Sequence, residues 1–333
     1  MEIKPTLKEI ASRANVSIAT ASRAIKNPEK VKYSTRRKIE QVLEEYSLEA
    51  KKKGSGIIGF IVPDLTNQFF PMMLTGIETV AKANQYQVVI TQLEANGKNE
   101  DEIVSKLVDI GVDGIIIIPS AETTGKYIRQ LVKDDLKPIV FLDRNPGLNN
   151  VNFVTTDNYS GMYQATKYLL TLGHKNFLYL DGKKGTSTAR DRYEGFVAAT
   201  ENKVNIRRIT ADFNATKARE ELSKLLNNAD FPYTAILSAN DTMAIAAMGV
   251  LKEKNIRVPE DVSVLGYDDI PNAKTASLST IKQPFVEMGM NAMYILLSSI
   301  KNPISNKKTI VLPSNIVFRS SVAIAKQIRQ KDL

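Results

Sequence analysis

The hydrophobic pattern of the chain changes period once, near residue 56. Before that point apolar residues recur at helical spacing. In "TLKEIASRANVSIATASRAIKNP" (6–28), Thr6 is placed as an N-cap with Glu9 three residues on, and Leu7, Ile10 and Ala11 form an inward stripe. Asn15 in "ANV" suits a turn, Ser17 caps a second helix over 18–25, and Asn27-Pro28 ends it. A third helix is predicted from a cap at Ser34 through "TRRKIEQVLEEY", with Ile39, Val42 and Leu43 inward. Two short helices joined by a tight turn and backed by a third make a helix-turn-helix unit.

After residue 56 the period is lost. Short, continuous apolar runs appear instead: "IIGFIV", "QVVIT", "GIIIIP", "PIVFL", "FLYL", "TAILS" and "VSVLGY". Continuous apolar strands alternating with amphipathic helices predict parallel sheets covered on both faces. The runs fall into two series, about 57–157 and 158–282, and the segment after "STIKQPF" is expected to cross back to the first. The expected fold is an all-α helix-turn-helix head on an α/β body of two doubly wound parallel-sheet lobes. The expected boundaries are a head at 1–46, a short linker at 47–56, one lobe at 57–157 with 284–313, and the other at 158–283 with 314–333. In such sheets ligands bind beyond the carboxyl ends of the strands, here between the lobes.

Charge sharpens this division. Residues 1–53 carry 13 Lys/Arg against 7 Asp/Glu, a net of +6, whereas the other 280 residues carry 32 against 29. A basic head on a near-neutral body is the footprint of nucleic-acid binding, although a solvated basic tail would have the same charge. The helical pattern favours the first reading, with the N-terminal end of helix two entering the major groove. There Ile18 and Ala19 are exposed at the helix start, Ala19 can meet a thymine methyl, and Arg23 can fork onto a guanine edge. Ser17, Thr20, Ser22 and Tyr33 suit phosphates, and Thr6 and Lys52 complete the expected DNA-contact set. Lys51–Lys53 either hold phosphates or form a solvated linker.

Several function classes recede. The longest apolar runs are too short to span a bilayer, and "MEIKPTLKEI" has no export signal, so a cytoplasmic location is expected. There is no Cys and one His, His174, which excludes thiol chemistry and makes a transition-metal site improbable. "DGKKG" lacks P-loop spacing and no Gly-rich dinucleotide fingerprint follows the first strand, so neither an enzyme nor a cofactor is expected. Asp268-Asp269 alone is weak evidence for a hard cation.

The strand ends instead carry polar and aromatic residues. Asn67, Phe69 and Phe70 follow the first strand, and Asp143 and Arg144 follow "PIVFL". Arg190 and Arg192 open a helix after the "DGKKGTST" loop, Phe213 follows "RIT", Asn240 and Asp241 follow "AILSA", Asp268 follows "VSVLGY", and Gln283 sits at the last crossing. Planar polar groups grip vicinal hydroxyls in pairs, and rings cover a sugar's C–H faces. Taken singly, an Asp can cap a helix and Phe69 or Phe70 can be core.

"TLKEIASRANVSIATASRAIKNPEKV" resembles the DNA-binding head of the lactose-repressor (LacI-type) family. The likeness runs on through "IVPDLTNQFFPMMLTGIE", "VDGIIIIP", "VFLDR", "LGHKN", "STARDRYEGF", "AILSANDTMAIAAM", "VPEDVSVLGYDD" and "LSTIKQPFVEMG". It implies a homodimeric repressor of double-stranded operator DNA whose body is similar to periplasmic sugar-binding proteins. Asn67, Phe69, Phe70, Asp143, Arg144, Arg192, Phe213, Asn240, Asp268 and Gln283 match positions that touch ribose in the ribose-binding subset. A site near Ile118, an amide in that subset, is aliphatic here, with Ser120 as a substitute. Asp143 and Asp268 offset Arg144 and Arg192, so a neutral pentose, ribose first, is expected rather than a phosphosugar or nucleotide. The alternative is a catabolite-control-type regulator answering to a phosphorylated carrier protein, a purine or a phosphosugar. The joint departs from the family. After Tyr46 stands "SLEAKKKGSG", without the Pro-Asn start, the Ala-Arg pair or the wedge leucine of the family hinge, and with two glycines that argue against a helix there.

Overall fold

The computed structural model describes residues 7–94, 97, 99–122, 124–201, 203–228, 231–302 and 306–326. The head comprises α1 (Leu7–Arg13), α2 (Ile18–Lys26) and α3 (Tyr33–Lys53). Its core is Ile10, Ala11, Ala14, Ala21, Ala24, Ile39 and Val42. Asn15 makes the turn at φ 52°, and the Ser17 hydroxyl accepts from the Thr20 N–H at 3.1 Å. Three expectations need correction. Leu7 is 39% exposed, at the edge of its stripe rather than inside it. α3 begins at Tyr33 after an N-cap at Lys32 that makes no side-chain bond, so Ser34 is not its cap. α3 also continues to Lys53, through most of the expected linker, because the glycines lie just beyond its last turn, where Gly54 takes φ 73°. Thr6 lies outside the described residues, as does the Lys52 side chain.

The first lobe is built from β1 (Ile57–Val62), α4 (Phe69–Ala83), β2 (Gln87–Gln92), α5 (Glu100–Asp109), β3 (Gly114–Ile117), α6 (Lys126–Lys133), β4 (Ile139–Leu142) and β5 (Asn152–Thr156). The second contains α7 (Asn158–Thr171), β6 (Asn176–Asp181), α8 (Ser187–Thr200), β7 (Asn205–Thr210), α9 (Ala215–Asn228), β8 (Ala235–Ser238), α10 (Asp241–Glu253), β9 (Ser263–Asp268), α11 (Pro271–Thr275) and β10 (Ser279–Lys282). The chain then returns through α12 (Phe285–Lys301) to β11 (Thr309–Leu312) and crosses again to β12 (Asn315–Val317).

The sheets have the orders β11-β5-β4-β3-β1-β2 and β12-β10-β9-β8-β6-β7. Every pairing is parallel except β10 with β12. Central strands β3, β4 and β8 are buried along their whole length, as continuous apolar runs require. Among the described residues no helix is long and apolar enough to cross a membrane.

α12 closes the first lobe by lying against α4 at backbone contact. A Cβ on Gly76 would stand 2.0 Å from the Val286 carbonyl oxygen, and one on Gly289 2.1 Å from that of Met73. Gly76→Ala should therefore part the two helices and cost about 1–3 kcal/mol. Gly249→Ala, in α10 with no atom nearer than 3.5 Å, should instead stabilise by up to about 1 kcal/mol through helix propensity. Chemical denaturation of both variants checks this: equal effects would mean that the α4–α12 contact gives way freely.

Candidate functional site

The carboxyl ends of the strands open on one cleft between the lobes. Its cavity of about 330 Å³ falls in the range of small-molecule sites. Pro63, Asp64, Asn67, Phe69, Phe70, Gln92, Asp143 and Arg144 line it from the first lobe. Lys183, Thr188, Arg192, Asp212, Phe213, Asn214, Asn240 and Asp268 line it from the second. Nine of the ten residues singled out from the sequence thus meet there. Gln283 lies one layer back: its Nε2 donates to Asp268 Oδ1 at 2.7 Å while its Oε1 accepts from Thr156 Oγ1 at 2.6 Å. It orients Asp268 and ties it to the end of β5.

Ser120 does not line the cavity. Its N–H donates to the buried Glu100 carboxylate at 2.5 Å. Arg190 faces outward, pairing with Glu122 and Asp191, and Asp241 is buried beneath the site, accepting from Thr280 Oγ1 at 2.5 Å and the Ile270 N–H at 3.0 Å. Pro63, Asp64, Gln92, Lys183, Thr188, Asp212 and Asn214 were missed. Asp64, Gln92, Asp212 and Asn214 end or follow strands, and Thr188 lies one helical turn before Arg192, so the strand-end rule could have found most of them.

Local backbone explains how these side chains reach the cleft. Asn67 Oδ1 accepts from the Phe69 N–H at 3.1 Å and starts α4, which places Phe69 and Phe70 in the first turn with rings edge to face at 5.0 Å. Asn240 caps α10 by accepting from the Met243 N–H at 2.9 Å. Asp143, Asp212, Phe213 and Asp268 have φ of 64°, 55°, 60° and 118°. Such strain in non-glycine residues clusters where side chains are aimed at a ligand. Gly182 makes room for the Phe213 ring, which its Cβ would enter at 2.2 Å.

The charges are buried and incompletely partnered. Asp143, Arg144, Arg192 and Asp268 are 3–7% exposed. Arg192 donates from Nε to Asn158 Oδ1 at 2.8 Å and from Nη1 to the Ala239 carbonyl at 2.5 Å, lies 3.7 Å over the Tyr267 ring, and stands 3.5 Å from Asp268 Oδ1. Arg144 donates to the Pro119 carbonyl at 3.1 Å and sits between Phe70 and Phe213, at 5.9 and 5.7 Å. Its Nε is 3.8 Å from Asp143 Oδ2, close enough to attract and too far to bond, and Asp143 Oδ1 and Arg144 Nε have no hydrogen-bond partner. Buried orphans of this kind call for a ligand donor and acceptor.

Burial raises the Asp143 pKa against the pull of Arg144 and Arg192, and lowers that of Arg144. It pushes Asp268 up to about 7, opposed first by Arg192. His174 is unrelated to this site. Its Nε2–H donates to the Ala323 carbonyl at 3.0 Å, its Nδ1 lies 3.0 Å from Thr234 Oγ1, and burial lowers its pKa. Among the described residues no acidic or His cluster could hold a metal, and Asp269 pairs with Arg319 at 2.6 Å.

In the head, Ala21 and Ala24 turn inward and leave Ile18, Ala19 and Arg23 exposed, with Thr20 and Ser22 half-buried beside them. Ser17 and Tyr33 are exposed too, Tyr33 at 67%. The expected contact residues that are described are thus open to solvent or half-buried, Ser17 to Arg23 around the start of α2 and Tyr33 at the start of α3.

The family described as periplasmic binding proteins and sugar binding domain of LacI family matches residues 55–311, and bacterial regulatory proteins, lacI family, matches 6–48. The HTH-type transcriptional regulator DegA of Bacillus subtilis is 31% identical over 96% of this chain and 99% of its own. The ribose operon repressor of Haemophilus influenzae is 30% identical over 95% and 98%. A LacI family transcriptional regulator from Enterococcus faecium, solved with bound ribose, is 28% identical, with a TM-score of 0.74 over 81% of this chain and 100% of that one.

The raised Asp268 pKa has a direct consequence. The folded chain keeps this proton to higher pH than the unfolded chain, whose Asp titrates near 3.8. The stability it confers is complete below about pH 4 and is lost as pH rises through about 7. Ligand-free stability should therefore fall across that window, and Asp268→Asn should flatten the fall. Denaturation midpoints at several pH values test it; an unchanged slope in the variant would assign the proton elsewhere.

Proposed function

The chain belongs to the LacI family of regulatory proteins, as a DNA-binding transcriptional repressor with a sugar-binding domain and not an enzyme, and we propose that its effector is a neutral pentose, ribose first. The observation that carries this reading is the charge-balanced set Asp143, Arg144, Arg192 and Asp268 with the rings of Phe69, Phe70 and Phe213. The whole lining sets Asp64, Asp143, Asp212 and Asp268 against Lys183, Arg144 and Arg192, which leaves no surplus cation for a phosphate, whereas Asp143 Oδ1 and Arg144 Nε await one hydroxyl's donor and acceptor. The ribose operon repressors and the ribose-bound regulator support the choice of sugar.

In this reading two copies form a dimer, and each head offers Ser17, Ile18, Ala19, Thr20, Ser22, Arg23 and Tyr33, with Thr6 and Lys52, to one half of a pseudo-palindromic operator. Ribose bridges the lobes, and the change in lobe orientation alters operator affinity. By linkage, operator DNA changes ribose affinity by the same factor.

Calorimetry and thermal melting with ribose, ribose 5-phosphate and a purine base test the effector. Ribose at 100 times its Kd should add about 2.7 kcal/mol of stability. No heat with ribose and clear binding of either other compound would replace the reading, since the HTH-type transcriptional repressor PurR of Vibrio atlanticus is also 30% identical to this chain.

The head assignment has its own test. Arg23→Ala should relax specificity at one base pair and cost about 1–3 kcal/mol, whereas Lys52→Ala should weaken all sequences alike and flatten the salt dependence. Binding to single-base operator variants separates them. Identical profiles would remove Arg23 from base readout.

A further inference from the structure

One side chain fastens the joint between head and body. Gly54 and Gly56 both have positive φ, 73° and 71°. Between them the Ser55 N–H donates to Asp113 Oδ1 at 2.7 Å, the Gly56 N–H donates to Oδ2 at 2.8 Å, and the Ser55 hydroxyl donates to Oδ1 at 3.2 Å. Both carboxylate oxygens are thus engaged by consecutive backbone N–H groups. A Cβ on Gly54 would lie 2.6 Å from Asp113 Oδ2, so the carboxylate rests against the joint where only glycine admits it. The same segment is held to its sheet, since the Gln87 N–H donates to the Gly56 carbonyl at 2.7 Å and the Asp113 N–H to the Ile57 carbonyl at 2.8 Å.

Asp113 directly precedes β3, which is buried throughout and central in its sheet, between β1 and β4. At the other end of β3 the Pro119 carbonyl accepts from Arg144 of the cavity, and the Ser120 N–H is held by Glu100. One short strand, about 20 Å long with its flanks, therefore carries the joint at its amino end and a cavity arginine's partner at its carboxyl end. Strands in a packed sheet shift as units rather than stretch.

We infer that Asp113 is the positioning residue through which occupancy of the cleft reaches the DNA-binding head. It touches neither DNA nor ligand. It fixes the end of α3 to β3, so that a shift of β3 under Arg144 moves the helix that supports the reading head. The inference rests on the sugar reading of the cleft for its ligand, but the fastening itself can be tested without one.

The test uses the full chain with Asp113→Asn, which keeps shape but leaves one N–H without an acceptor, and Gly54→Ala, which displaces the carboxylate from the joint side. Operator DNA selected from a random pool is titrated with and without ribose, and ribose is titrated into the free protein by calorimetry. Ribose Kd should stay within about twofold of the wild type, as expected for a distant site. The ratio of operator affinities with and without ribose, typically about 5–150-fold for such coupling, should collapse toward 1 in both variants. A wild-type ratio in either variant overturns the inference, and so does a loss of ribose affinity in parallel with the ratio, which would make Asp113 a support of the cavity. If ribose fails to bind the wild type, the sugar reading falls and trypsin decides the fastening. Cleavage after Lys51–Lys53 should be about tenfold faster in Asp113→Asn than in the wild type, because the joint opens more often. An unchanged rate would overturn it.

Discussion

Two carboxylates and two guanidinia are buried together in the interlobe cleft, and much of the structure follows from that. Removing an ion from water costs several kcal/mol even after relaxation, so such a group must be paired and hydrogen-bonded. Arg192 satisfies the requirement with protein partners: Asn158, the Ala239 carbonyl, the face of Tyr267 and nearby Asp268. Asp143 and Arg144 satisfy it only partly. These four buried groups are therefore charge-balanced but not bond-complete. A neutral polyol completes the bonds without disturbing the balance; an anion would disturb the balance while completing them.

That arrangement requires unusual backbone. Parallel strands normally hand over directly to their helices, yet a positive φ occurs at the end of β9, one residue after β4 and two and three residues after β7. Asp143, Phe213 and Asp268 are aimed into the cleft by those conformations, each of which costs on the order of 1–3 kcal/mol. The supporting layer offsets that cost. Gln283 clamps Asp268 to Thr156, Asn240 Nδ2 holds the Phe213 carbonyl at 3.3 Å, and the absent side chain of Gly182 admits the ring. Positive φ also occurs in turns away from the cavity, at Gln85, Asp135, Asn150, Glu201, Asn255 and Ser277, but at the site it comes with these supports.

The fold was legible because its signal is a change of period: helical spacing in the head, then continuous apolar runs for buried parallel strands. The cavity was legible because parallel sheets present their strand ends to one place, so residues following strands could be collected without coordinates. What escaped was depth. Sequence position puts Gln283 at a crossing but not behind Asp268, and it cannot show that Ser120 is engaged by Glu100 rather than by the cavity. The edge of a helical stripe escaped for the same reason. Leu7 has the spacing of a core residue, but it opens a helix of only two turns whose stripe the small head leaves uncovered at that end. The joint was misjudged differently. Glycine was counted as weakening a helix, when Gly54 stands just past the last turn and ends it.

That last difference changes what the joint can do. A hinge that folds only on DNA uses part of its binding energy to order itself, and its wedge unstacks a base step. Here α3 already runs to Lys53, and the next residues are held by Asp113. Little chain is left to order, so less of the interaction with DNA is offset by conformational entropy. The same stiffness limits how far the heads can adjust to different half-site spacings. A flexible joint would let a head stay on its half-site while the lobes turn. A helix fastened to the body cannot do so, and a rotation of the lobes must strain the head's contact with DNA. On the proposed reading the short joint gives up local adaptability for direct coupling, and the sugar-dependent part of operator binding falls on the geometry between α3 and β3.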